Sequence, residues 1–272
     1  MSRQRGGGIP PFGAPLALIV AEVFDEGSAA VAQATTLRTS VDQVALVTPA
    51  DLALASWAHR VDASGAASTV VDLPDGRRFS DGQIGAVLFR AGSIPIPRFL
   101  NSKASDRDYA ASELQALVVS WLRSLGDKVI NCVDGVCPMG PSWSSRRWLA
   151  EARLAGLPVV TSVTATSARL VPGWLGSPFD ARRPFESRGG KIVQEILVAG
   201  EVAVGELSER FGDSCRRLAA HSRCRVLQTN FCQVAGELAV TSVLPVPPFV
   251  STSQVEVVSD LLTHVLRSHR AG

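Results

Sequence analysis

The residues of this chain best suited to charge-driven chemistry are arginines, and they occur in three settings. Arg182, Arg183, Arg188 and Lys191 make the densest basic stretch, on or beside a Pro- and Gly-rich run from Pro172 to Gly190. Such a loop can grip a phosphate or an acidic peptide segment through charge-assisted hydrogen bonds; a solvated loop whose charge keeps the chain soluble fits the same pattern. Arg90 is different, because it ends the apolar run Ala86-Val-Leu-Phe-Arg90, which reads as a buried strand. The carboxyl ends of α/β strands are where ligand crevices form, so Arg90 is either a ligand contact or half of a structural ion pair, for example with Asp25. The third set, Arg216, Arg217, Arg223 and Arg225, lies on or just after a helix and reads as surface, with a partner interface as the alternative.

Other chemistries find less support. Cys132 and Cys137 are separated by four residues, with neither a CxxC spacing nor a nearby His pair, so buried or loop thiols explain them better than zinc. The four histidines, His59, His221, His264 and His269, are scattered. Gly189-Gly190-Lys191 lacks the earlier glycine and the following hydroxyl of a phosphate-binding loop, and neither GxGxxG nor GxSxG occurs. Ser142, in Gly140-Pro-Ser-Trp143, reads as a helix cap rather than a nucleophile.

The elements that would position these residues alternate between strand and helix. Leu16 to Val23 is a short apolar run ended by Asp25 and Gly27, a buried parallel strand; Ala29 to Leu37 is a helix behind a Ser28 cap; Val44 to Val47 is a second strand. Ser68 to Leu73, the turn Pro74-Asp-Gly76 and Arg77 to Phe79 form a hairpin. Asp108 to Leu125 places Leu114, Leu117, Val118, Trp121, Leu122 and Leu125 on one helical face. Val129 to Cys132 is a strand. Ser144 or Ser145 then caps a helix through Ala155 that Gly156 and Pro158 close, and Val159-Val160 completes the first unit. Beyond Ala165, Ile192 to Val204 alternates like a hairpin, Glu206 to Ala220 is an amphipathic helix, Arg225 to Cys232 and Glu237 to Val243 are strands, and Gln254 to Arg267 is the last helix.

Composition agrees with a folded α/β protein: 272 residues, 46% hydrophobic and 19% charged, enough to bury a core without staples. The formal charge of +2 is too small to predict nucleic-acid binding, although its cations are 24 Arg against three Lys. Five cysteines in a chain this long do not make a secreted disulfide framework, and the opening residues carry no apolar signal region, so a cytoplasmic protein without a membrane anchor is expected.

The order of these pieces and several local strings resemble the ATP-grasp superfamily, in particular the ligases that modify ribosomal peptides (the graspetide macrocyclases) and their ribosomal-protein glutamate-ligase relatives. The strings are Gly85-Ala-Val-Leu-Phe-Arg-Ala-Gly92, Asp106 to Leu114, Val129-Ile-Asn131, Trp148 to Pro158, Ile192-Val-Gln-Glu195 and Gly236 to Val240 with Val243 to Pro247. The resemblance covers most of the chain from about Leu16. It implies a Rossmann-like pre-ATP-grasp α/β domain over 15–164 after a mobile tail at 1–14, then a reduced α+β ATP-grasp-like lobe over 165–272. It also implies a nucleotide-hinge strand at Ile192 to Glu195, and it puts Arg90 near the peptide-facing cleft.

The same resemblance exposes what the chemistry would lack. A ligase of this kind screens phosphate charge with lysines and with magnesium held by carboxylate and Asn oxygens. Here the lysine expected before the helix at Trp148 is matched by Ser144-Ser145 followed by Arg146-Arg147, and Arg does not replace Lys conservatively. Where the family presents Glu and Asn metal ligands, this chain reads Ala239-Val-Thr-Ser-Val-Leu244, and Thr241 and Ser242 are weak magnesium ligands. The reading is therefore a shortened pseudo-ligase. It would be non-catalytic, without cofactor or metal, and would act as an accessory or scaffold that binds a peptide or an active ligase partner in peptide modification or natural-product biosynthesis. Its candidate ligand-binding residues are Arg90, Arg182, Arg183, Arg188, Lys191, Gln194 and Glu195; nucleic acid and membrane are not expected partners, and a homo-oligomer is compatible. The alternative is an ATP- and magnesium-dependent carboxylate-amine ligase whose ligands come from elsewhere, such as Glu195, Glu201, Glu206 or Glu237. A third class is a binding module for a phosphorylated small molecule on the Arg182 to Lys191 loop.

Overall fold

The computed structural model describes residues 15–40, 43–160, 192–234 and 237–269. The expected tail at 1–14, the boundary at Ala165 and the basic residues Arg182, Arg183, Arg188 and Lys191 lie outside them. In chain order the elements are β1 (Leu16–Val20), α1 (Glu26–Arg38), β2 (Val44–Val47), α2 (Pro49–Leu54), β3 (Ser56–Val61), β4 (Ala67–Asp72), β5 (Arg78–Ser80) and β6 (Ile84–Phe89). There follow α3 (Ala104–Leu125), β7 (Val129–Ile130), α4 (Ser145–Leu154), β8 (Ile192–Ala199), β9 (Val202–Val204), α5 (Ser208–His221), β10 (Val226–Val234), β11 (Glu237–Leu244) and α6 (Thr252–Ser268).

The chain groups into two units, one of Met1–Gly140 with Pro248–Gly272, the other Pro141–Pro247. This differs from a division at Ala165 in two places. The helix α4 belongs to the second unit. The last helix, α6, returns to the first, where it packs on α1, β1 and β6. Its apolar stripe, Val258, Leu261, Leu262, Val265 and Leu266, is buried there, and Gly85 of β6 gives it room, since a Cβ at that position would lie 2.8 Å from Leu266 Cδ1.

In the first unit β2-β1-β6-β7 form a parallel sheet. Ile84 to Phe89 is buried at every position, as a strand covered on both faces requires. A separate antiparallel sheet, β3-β4-β5, packs on α3. Trp121 of α3 anchors it: the ring meets Trp57 edge-on at 5.2 Å and Phe79 at 6.2 Å, and its Nε1 donates to Asp81 Oδ1 at 3.0 Å. The expected Ser28 cap of α1 is instead Asp25, which accepts from Ser28 N at 2.9 Å; a carboxylate one turn earlier reaches the same orphan donors.

In the second unit β11-β10-β8-β9 form an antiparallel sheet. Trp148, Leu149 and Ala152 of α4 and Phe211, Cys215 and Leu218 of α5 share a core with Ile196, Val198, Leu227, Phe231 and Val240 of the strands. Ser144 caps α4 and Gly156, at φ +87°, ends it. The pair Val159-Val160 does not complete the first unit: Val159 bridges Val240 in parallel, and Val160 N donates to Val240 O at 3.1 Å, covering the outer edge of β11. No helix among the described residues is long and apolar enough to cross a membrane.

Candidate functional site

Two polar clusters stand out, one in each unit. In the first, β1 and β6 are neighbours at the point where the parallel sheet reverses its strand order, the place where α/β folds open a crevice at the carboxyl ends. Asp25 follows β1 and Arg90 follows β6. Arg90 Nε donates to Asp25 Oδ2 at 2.7 Å, with side chains only 7% and 17% exposed, and Ser28 Oγ donates to the same oxygen at 2.8 Å. Phe249 covers the pair, its ring centroid 4.3 Å from the Arg90 guanidinium carbon. Burial works against the Asp25 carboxylate, but the hydrogen bonds from Arg90 and Ser28 outweigh it and hold its pKa below the ordinary 3.8. The ion pair between Arg90 and Asp25 that the sequence allows is therefore formed.

The second cluster grows from the alternation of β10. Leu227 and Phe231 point at the helices, which turns Gln228 and Asn230 to the opposite face, where both are buried. Register sets their neighbours: Asn230 lies opposite Glu195 of β8 and opposite Ser242 of β11. Gln228 Nε2 donates to Glu195 Oε2 and to Asn230 Oδ1, each at 2.7 Å, and Asn230 Nδ2 donates to Ser242 Oγ at 3.0 Å. A bulge between Asn230 and Phe231 admits Thr241, whose hydroxyl lies 3.4 Å from Asn230 O and 3.5 Å from Cys232 Sγ. A row of side chains, Glu195, Gln228, Asn230 and Ser242, thus crosses three strands. Gly205, at φ +134°, fixes the strand beneath it, because a Cβ there would collide with the Glu195 carbonyl. Gln194 points elsewhere, its amide donating to Glu206 in a short hydrogen bond.

This row holds the strand segment expected to carry metal ligands, so its donor set decides what it can bind. Magnesium in nucleotide sites takes octahedral oxygen ligands, with one or two carboxylates beside the phosphates. Here the row has one carboxylate, Glu195, already accepting from Gln228, while Asn230 directs a donor at a neutral Ser242 hydroxyl. Among the described residues no three His, Cys, Asp or Glu side chains gather as a metal set. The row thus offers one carboxylate, Glu195, and one buried amide oxygen without a partner among the described residues, Gln228 Oε1, the low end of what a magnesium site beside phosphates takes from protein.

Of the two arginines in place of the expected lysine, Arg147 serves the α4–α5 corner. The Arg147 guanidinium carbon lies 4.0 Å from the Trp143 ring centroid and Nε 3.8 Å from Glu151, which also meets His221 Nε2 at 3.0 Å. Arg217 donates to the carbonyl of Ala155 at 2.9 Å and Arg216 pairs with Asp213, so these two stabilise their own surroundings. The five cysteines are free thiols, with Cys215, Cys224 and Cys232 buried.

Sequence reasoning brought Glu195 and Arg90 forward and missed Gln228, Asn230 and Phe249. The signal for the first two was present: Gln228 and Asn230, two apart and alternating with Leu227, Thr229 and Phe231, mark one face of a central strand. Nothing local marked Phe249.

No family model matches the chain, and no curated protein matches it in sequence. Solved structures do match in fold. The macrocyclase MdnC of Microcystis aeruginosa, bound with the precursor peptide MdnA, superposes with a TM-score of 0.69 at 13% identity, over 92% of this chain and 99% of its own. A RiPP-associated ATP-grasp ligase of Chryseobacterium gregarium, in complex with ADP and a leader and core peptide, gives 0.69 at 10% identity, over 92% and 97%. The ATP-grasp ligase PsnB, complexed with minimal precursor, Mg and ADP, gives 0.68 at 14% identity, over 92% and 98%.

Proposed function

We propose that this chain, whose fold is that of ATP-grasp ligases that modify ribosomal peptides, is a non-catalytic accessory protein of peptide modification: it binds a peptide or an active ligase and transfers no phosphate itself. The observation that carries the reading is the Glu195–Gln228–Asn230–Ser242 row. Gln228 donates to its one carboxylate and Asn230 to a neutral hydroxyl, where a ligase would gather negative oxygens around a metal. Losing those ligands need not remove a peptide-binding surface, since fold and site chemistry vary independently. The three solved structures named above are complexes with a precursor peptide, a minimal precursor, or a leader and core peptide, and Arg182, Arg183, Arg188 and Lys191 are the residues proposed to meet acidic groups of such a peptide. Five free thiols suit a reducing compartment, the cytoplasm in this reading.

Calorimetric titration with ATP, with and without magnesium, tests this. Folded protein that gives no heat up to millimolar nucleotide supports the accessory role, and co-purification with a ligase or precursor peptide then identifies the partner. Micromolar, magnesium-dependent binding overturns it in favour of an ATP-dependent carboxylate-amine ligase. One observation favours that alternative: Gln228 Oε1 is buried with no hydrogen-bond partner among the described residues, a second oxygen beside Glu195 that a cation could use. Loss of such binding in Lys191→Ala would then place the phosphates.

A further inference from the structure

Three large apolar side chains stand in solvent at the carboxyl edge of the parallel sheet: Phe24 is 93% exposed, Val23 75% and Val250 71%. Single exposed apolar residues are ordinary, but grouped ones mark interaction sites. These three are displayed on a fixed base. Asp25 N donates to Glu22 O and Glu26 N to Phe24 O, each at 3.0 Å, which closes the loop that carries Val23 and Phe24. The next residue, Asp25, is tied to Arg90 and Ser28. Val250 follows Phe249, whose ring lies on Arg90 and whose backbone approaches Gly27 so closely that a Cβ there would sit 2.8 Å from Phe249 O. Val250 N donates to Gln254 Oε1 at 2.8 Å. A rigid backbone carrying exposed apolar groups loses little entropy on docking.

Charge selects the partner. Glu22 and Glu26 flank the two apolar residues in sequence, both are exposed, and neither is in an ion pair among the described residues. Arg90, a cation at this edge, is paired with Asp25. A second copy docked face to face would oppose these carboxylates to their own equivalents, and an anionic lipid surface would be repelled. We propose that Val23, Phe24 and Val250 form a docking surface for a protein partner that presents an amphipathic segment, its apolar side chains flanked by Lys or Arg. None of these residues belongs to the second unit, so the inference and the peptide reading above can fail separately.

The test uses the full chain and a fluorescein-labelled helical leucine–lysine peptide of about four turns, with its leucine–glutamate counterpart as control, read by fluorescence anisotropy. The lysine peptide binds and the glutamate peptide does not. Phe24→Ser weakens binding about tenfold or more, and Glu22→Gln with Glu26→Gln weakens it at low salt while the difference fades at high salt. Because Phe24 is exposed, its variant melts at the wild-type temperature. Equal binding by wild type and Phe24→Ser, equal binding of both peptides, or no binding at all would overturn the proposal. So would a concentration-dependent dimer, seen by sedimentation and abolished by Phe24→Ser, which would assign the surface to a second copy.

Discussion

Arg90 and Asp25, 65 residues apart in the chain, close a 2.7 Å ion pair across the ends of two neighbouring parallel strands, under the ring of Phe249. The contact joins the cap of α1 to the end of β6, and neither side chain faces open water. Removing one partner leaves the other charged and buried. Arg90→Ala is therefore expected to destabilise the first unit by about 3 kcal/mol, more than Asp25→Asn, which keeps its oxygen acceptor for Ser28. The pH dependence has a defined sign. Because the folded-state pKa of Asp25 is depressed, its contribution is complete above the unfolded value near 3.8 and disappears as pH falls through the lower folded value. Urea melts of wild type and Asp25→Asn should converge over that acid range; curves that stay parallel would show that the pair contributes nothing.

The row in the second unit separates structural from metal-binding carboxylates. Asn230→Ala removes the acceptor for Gln228 and the donor for Ser242, and buried polar groups left unpaired cost about 1–3 kcal/mol. Glu195→Gln retains an oxygen that can accept from Gln228, so its expected cost is about 1 kcal/mol or less. In the accessory reading neither substitution changes the response to magnesium and ATP. A magnesium-dependent rise in melting temperature that Glu195→Gln abolishes would identify Glu195 as a metal ligand.

Gly205 tests the positioning of the same row from below. Its positive φ disfavours any side chain, and the space a Cβ would need is filled by the backbone of Glu195 and Ile196. Gly205→Ala should cost about 2–3 kcal/mol through strain and overpacking. Amide exchange would quicken first at β8 and β9; unchanged protection there would mean that the hairpin is not clamped by this contact.

Most elements were legible because their periodicity is local. The stripe of α3 through Trp121 and Leu122 and the hairpin around Pro74-Asp-Gly76 occur close to where their patterns put them. β3 was not legible, since Ser56-Trp-Ala-His-Arg-Val61 is half exposed and carries too few apolar residues to register as a strand. What periodicity cannot tell is which surface a stripe meets. The face of α6 shows that Val258 and Leu262 are buried but not that β1, β6 and α1 bury them, and the two residues Val159-Val160 do not announce that β11 is their neighbour. At the candidate site Glu195 was legible by its setting; its union with Asn230 and Ser242 depends on register across three strands, which no local string encodes.

Cys215 should behave as a core residue rather than a reagent. Burial pushes its thiol up to about 11 from 9.0, so at neutral pH it is protonated and enclosed. Iodoacetamide should label the half-buried Cys132 and Cys137 first and Cys215 only on unfolding. Since the folded state holds this proton more tightly, its stabilising effect is complete below the unfolded value of 9.0 and falls as pH rises toward 11. Cys215→Ala should flatten that alkaline limb by up to about 1.4 kcal/mol per pH unit. An alkaline limb identical in both proteins would show that another group controls it.

The position of α6 gives a sharper test of how the chain is divided. Leu262 is fully buried, and α6 packs on β1, β6 and α1 of the first unit although 107 residues of the second, Pro141–Pro247, intervene in sequence. Truncating a buried leucine costs about 2–5 kcal/mol, so Leu262→Ala should lower the stability of the first unit by that order. The pattern of loss carries the argument. Amides of β1 and β6 should exchange faster in proportion, since their hydrogen bonds open with the unit to which α6 belongs. Amides of β8 and β10, in the other unit, should keep their protection if the two units open independently. Loss confined to β8 and β10 would mean that α6 stabilises the second unit, and the division of the chain would have to be redrawn near Ala165.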